Sequence, residues 1–169
     1  KHYDLLPFSC NAFIANRLNL NDDGVLTEEA LAIADLFPLK FLDVNHDRSQ
    51  IIGVITSTAF TEFGTDKPLT RDQVKGVKNP FNVLCAGVIW RAANPKLADF
   101  IEETNDPESE HYLEISASWE LGFSEMNLIL LDGDNRNFED GQIITDPDEI
   151  KQLEGKLRAY GGLGKVDGK

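Results

Sequence analysis

The sequence is poor in the residues that mark most metalloproteins and disulfide scaffolds. It has two cysteines, Cys10 and Cys85, and three histidines, His2, His46 and His111, in 169 residues, and none of these stands at ligand spacing. Two cysteines cannot make a disulfide framework. Cys85, inside NVLCAGVIW, reads as a small buried hydrophobe, so a reducing compartment is expected. No CxxC, HExxH, Walker or GxGxxG pattern is present, which argues against a zinc or nucleotide enzyme; no cofactor and no metal are expected. No apolar run approaches the ~20 residues of a membrane span. The opening KHYDLLPF lacks a basic stretch followed by an apolar one, so no signal peptide is expected. Bases are also scarce, 16 Lys+Arg against 29 Asp+Glu, for a formal net charge of −13. The excess is local: Pro95 to Glu154 holds 17 acids and 3 bases, leaving 12 acids and 13 bases elsewhere. That distribution excludes the broad basic face of a nucleic-acid binder, and its ordinary meaning is a solvated acidic surface.

What is there is a composition of 41% apolar and 27% charged residues, enough to build a core and fit for one domain. We expect that domain over residues 1–160, with GGLGKVDGK after Tyr160 forming a flexible tail over 161–169. TEEALAIADLF predicts a helix from Thr27 with Thr27 as N-cap, Leu31, Ala34, Ile33 and Phe37 toward a core, and Pro38 beyond its end. FLDVNHDRSQIIGVITSTAF predicts two strand pieces around a polar kink at Asn45 to Ser49. PFNVLCAGVIWRA reads as a strand, and NPKLADFIEET as a helix with Leu97, Phe100 and Ile101 on one face. HYLEISASWELGF alternates without a break and reads as the clearest strand of the chain. In it Leu113, Ile115, Ala117, Trp119 and Leu121 face one way, and Glu114, Ser116, Ser118 and Glu120 the other. MNLILLDGD predicts a further strand ending in a turn, and DPDEIKQLEGKLRAY a helix capped by Asp146 with Pro147 first. The expected class is α+β, with a sheet that is mostly antiparallel or mixed and either open or closed as a barrel.

Few patterns carry chemistry. LNDDG and DVNHD echo a calcium loop, but Ala30 and Val54 fall where the bidentate Glu belongs, and polar turns are the simpler reading. A calcium-binding module is therefore a remote alternative. Ser116 and Ser118 lie on the polar face of a strand whose other face is apolar, so that side must meet solvent, a cleft or a partner. A hydroxyl becomes a nucleophile only when a base such as His takes its proton, and His46 is a candidate for that base.

Two segments carry a resemblance. ANRLNLNDDGVLTEEALAIADLFPLKFLDVNHDRSQIIGVI resembles the beginning of tailed-phage prohead (head maturation) proteases, in which a loop and helix lead to a strand with an "NHD…IG" motif. LEISASWELGF resembles their nucleophile strand, a Ser followed by one residue and then Glu or Gly, and the likeness spans about Ala15 to Leu131. It implies a serine endopeptidase of the herpesvirus-assemblin type, a small β-barrel flanked by helices. His46 would be the general base, Ser118 the nucleophile and Asp132 the third member ahead of Glu120, with Arg136 a conceivable oxyanion donor. The implied partners are scaffold and capsid precursor polypeptides, with a homo-oligomer compatible and neither nucleic acid nor membrane involved. The implied place of action is the assembling prohead in the host cytoplasm. The alternative from another class is a non-enzymatic virion protein that keeps a protease-like fold.

Overall fold

A computed structural model describes residues 4–166. His2 and the last three residues of the expected tail lie outside them. Of that tail, residues 161–166 are described, and Gly161, Gly162 and Gly164 donate backbone hydrogen bonds to Arg158, Leu157 and Lys156.

The elements in chain order are β1 (Leu5–Ala15), α1 (Thr27–Leu36), β2 (Phe41–Val44), β3 (Asp47–Glu62), β4 (Pro68–Leu69), α2 (Arg71–Val74), β5 (Phe81–Trp90), α3 (Pro95–Glu103), β6 (Leu128–Leu130), β7 (Gln142–Ile144) and α4 (Pro147–Leu153). The larger sheet has the order β1-β5-β3-β2, with β4 pairing β3, and β6 and β7 form a second, two-stranded sheet. The class is α+β with mostly antiparallel pairing. Among the described residues no pairing closes either sheet, so the expected barrel is not seen. The reason lies in HYLEISASWELGF, which begins in a turn and then joins no ladder. Most of its apolar residues stay in water, Leu113 being 69% and Phe123 70% exposed, while Trp119 is half-buried. Alternation shows that a segment can serve as a strand; pairing with a neighbour is what makes it one.

Two compact units are distinguished, one of Lys1–Ala12, Ala32–Ala59 and Val83–Glu120, the other of Phe13–Leu31, Phe60–Asn82 and Leu121–Lys169. The first has a core of Leu6, Ile52, Ile89 and Ala98, onto which Phe8, Leu42, Leu97 and Ile101 pack. Strand β1 is not among the elements expected from the sequence, and it contains Pro7. The structure puts β1 at the end of the sheet order, where a missing N–H is tolerated, and Leu6, Phe8, Cys10 and Ala12 are less exposed than the residues between them. Helix α3 starts with Asn94 as N-cap and Pro95 next, and Arg91, at the end of β5, pairs with Asp99 and Glu102 on the helix.

In the second unit Asn16 is buried and donates to Thr27 Oγ1 (2.8 Å), Val77 O (3.0 Å) and Asn79 O (3.1 Å). Thr27 is the first residue of α1, and its hydroxyl donates to the Val77 carbonyl, so it ties the helix to a loop and is not the expected N-cap. The Phe60 and Phe81 rings meet edge to face at 5.9 Å. Asp146 caps α4 as expected, accepting from the amides of Asp148 and Glu149. The helix stops at Leu153, short of Tyr160, and continues as two short 3₁₀ turns; Gly155 lies at the break. No described helix is long and apolar enough to cross a membrane.

Candidate active site

Strands β2 and β3 form a hairpin in which Val44 pairs with Asp47, leaving Asn45 and His46 as a two-residue loop. Both have positive φ, 54° and 60°, as a type I′ turn requires. The polar kink expected over Asn45 to Ser49 is thus a turn of two residues, with Asp47 already in the strand. Asn suits the first turn position; the second is usually Gly, and here it is His. The turn is secured from Asp47, whose carboxylate accepts from Ser49 Oγ (2.6 Å), Gln50 Nε2 (2.6 Å) and Ser49 N (2.9 Å). Those bonds, the Ser49 hydroxyl first, hold the Asp47 carboxyl at about 2, below the usual carboxylate range. The hairpin tip therefore presents an imidazole on a fixed base.

Ser118 arrives from α3 by a different route. After the helix, Leu113 N donates to Thr104 O (2.9 Å) and Glu114 N to His111 O (3.0 Å), folding the chain back on the helix end. His111 Nδ1 lies 2.5 Å from Glu114 Oε2, and its ring stands edge-on to Phe100 at 5.3 Å. The Glu114 carboxylate, with further help from Glu103 and Glu110, raises the His111 pKa above the ordinary imidazole value against the opposing effect of desolvation. From this anchored turn the chain extends to Ser118, whose Oγ lies 3.1 Å from His46 Nε2. Both residues belong to the first unit.

The structure thus brings together two residues singled out in the sequence 72 positions apart. Ser116, the other serine of the pattern, is exposed, as is Glu120. Asp132 belongs to the second unit, in the turn after β6, where its carbonyl accepts from Asn135 N at 3.2 Å. Arg136, in the same unit, donates to Leu18 O (3.1 Å) and pairs with Asp22 (3.2 Å), so its guanidinium serves the Asn19–Gly24 loop. That loop is held internally, Asn19 Oδ1 accepting from the amides of Asn21 and Asp23, and Asp22 also meets Arg158 at 2.8 Å. Among the described residues no three His, Cys, Asp or Glu side chains are grouped to hold a metal.

Ser118 borders a small cavity together with Trp119, although alternation places these two on opposite faces. Without ladder pairing the segment is free of the pleat that would have separated them. Phe8 and Cys10 of β1 also line this cavity. The alternation of Leu6, Phe8, Cys10 and Ala12 is the sequence signal that points to them. Compared with family models, curated proteins and solved structures, the chain matches none.

Proposed function

We propose that this chain is a serine endopeptidase of the prohead-maturation kind, trimming scaffold and capsid precursors within an assembling phage head in the host cytoplasm. The observation that carries the reading is the 3.1 Å approach of His46 Nε2 to Ser118 Oγ, which lies within the reach a general base needs. With its proton on Nδ1, the His46 imidazole accepts the Ser118 proton at Nε2 as Oγ attacks the scissile carbonyl carbon. The imidazolium then gives that proton to the departing amine, leaving an ester on Ser118. Water attacks the ester with His46 again as base, and the serine is restored. The exposure of both residues fits a macromolecular substrate, which must reach the nucleophile with its own backbone.

The same reading extends to the architecture, an assemblin-like one in which residues 111–123 occupy the position of the nucleophile-bearing strand. It keeps Asp132 as the candidate third member that the resemblance names. Asp132→Asn separates a triad from a dyad: a loss on the order of 10⁴ in kcat marks an orienting acid, and retained kcat marks a serine–histidine pair working alone.

The test is cleavage of unfolded polypeptide, with new N-termini mapped by mass spectrometry for the wild-type chain and Ser118→Ala in parallel. New termini that depend on Ser118 are expected. Their absence from both digests returns the chain to the structural virion class.

A further inference from the structure

The cavity that Ser118 borders has a volume of about 50 Å³. Its other walls include Phe8 and Cys10 from β1, Leu42 from β2, Cys85 from β5, and Trp119, and no charged side chain lines it. β1 and β5 are neighbours in the sheet, so the two thiols are offered by adjacent strands, with Ser118 and Trp119 supplied by the segment outside the ladder. Burial pushes the Cys85 thiol up to about 11, with Cys10 adding to the rise, and burial also raises Cys10. Both sulfurs are therefore neutral at physiological pH and act as small apolar groups.

We infer that this cavity is the subsite for the substrate side chain adjoining the scissile carbonyl, that it selects a short aliphatic group, and that Cys10 and Cys85 limit its size. The inference rests on the assignment of Ser118 as nucleophile. Two physical arguments carry it. A cavity that admits a benzene ring measures roughly 150 Å³, so one of about 50 Å³ takes a short aliphatic chain and turns an aromatic ring away. A charged side chain entering it would lose its water and find no partner, an unfavourable transfer that excludes Lys, Arg, Asp and Glu.

The experiment is the rate of acylation of Ser118 by p-nitrophenyl acetate, propionate, butyrate and benzoate, read as the nitrophenolate burst with the adduct located by mass spectrometry. The rate is expected to rise roughly 10-fold from acetate to butyrate and to fall by at least as much for benzoate, the range set by methylene-sized differences in an apolar pocket. Cys10→Leu should bring the butyrate rate down to that of acetate, and Cys85→Ala should raise the benzoate-to-butyrate ratio about tenfold. Because Cys85 is buried, Cys10→Leu carries the test if Cys85→Ala does not fold. Acylation of Ser118 that ignores chain length and both substitutions overturns the subsite alone. Absence of acylation by every ester overturns the nucleophile assignment, and the subsite with it.

Discussion

His46 Nε2 and Ser118 Oγ stand 3.1 Å apart, one at the tip of a two-residue hairpin and the other in a segment that joins no ladder. Neither position is one that packing demands. The pair also separates the two serines that strand spacing alone leaves equivalent, since Ser116 and Ser118 are only about 7 Å apart along an extended chain. Ser118→Ala should lower kcat by an amount on the order of 10⁶, while the free energy of unfolding, measured by urea titration, stays within ~0.5 kcal/mol because an exposed hydroxyl contributes little. Ser116→Ala should keep most of the activity. The reverse pattern would move the nucleophile two residues.

His46 at φ 60° occupies a backbone conformation that favours glycine. An L-residue pays roughly 1–2 kcal/mol for the left-handed region, partly offset by the greater unfolded-state freedom of glycine. His46→Gly should therefore leave stability unchanged or raise it by up to ~1 kcal/mol, as Asn-Gly is the favoured type I′ pair, while removing activity. A urea midpoint lowered by that substitution would mean that the imidazole serves the fold.

Much of the architecture was legible where local chemistry and packing agree. Asp146 with Pro147 starts α4 as its sequence indicates, and the continuous apolar run of β5 reads directly as a strand. The Thr27 helix is found with Leu31, Ile33 and Ala34 buried, although Phe37 is only partly covered. The misreadings share a cause. β1 carries Pro7, which a strand tolerates at a sheet edge, and which strand lies at the edge is a property of the sheet and not of the segment. HYLEISASWELGF has strand periodicity yet joins no ladder, and pairing is a long-range matter. At the site, His46 and Ser118 were legible through motif order, whereas the cavity was not, because its walls come from β1, β2, β5 and the Ser118 segment.

The turn that leads to Ser118 is held by His111 and Glu114, and its strength depends on pH. The His111 pKa is raised above its unfolded value, so the contribution of the contact is fully present below the unfolded pKa and is lost as pH rises through the folded one. In an NMR titration the His111 ring should show a midpoint above the ordinary value of about 6.5, and Glu114→Gln should bring it down. An unchanged midpoint in that variant would remove Glu114 as the cause.

The loop oxygens that resemble a calcium site are engaged within the chain, Asn19 by backbone amides and Asp22 by Arg136 and Arg158. The melting temperature should therefore be the same in millimolar calcium and in chelator. A site at a hundredfold above its Kd would add ~2.7 kcal/mol, a shift of several degrees. A rise of that size would establish calcium binding.

The most direct test of the serine–histidine assignment is labelling with a fluorophosphonate probe, followed by peptide mapping of the modified residue. Attack by an activated serine on phosphorus displaces fluoride and leaves a stable ester, with no need to know the natural cleavage sequence. The account predicts one adduct, on Ser118, formed at least about 100-fold more slowly in His46→Ala, the scale of a lost general base. An adduct elsewhere, none at all, or labelling of Ser118 indifferent to His46 would contradict it.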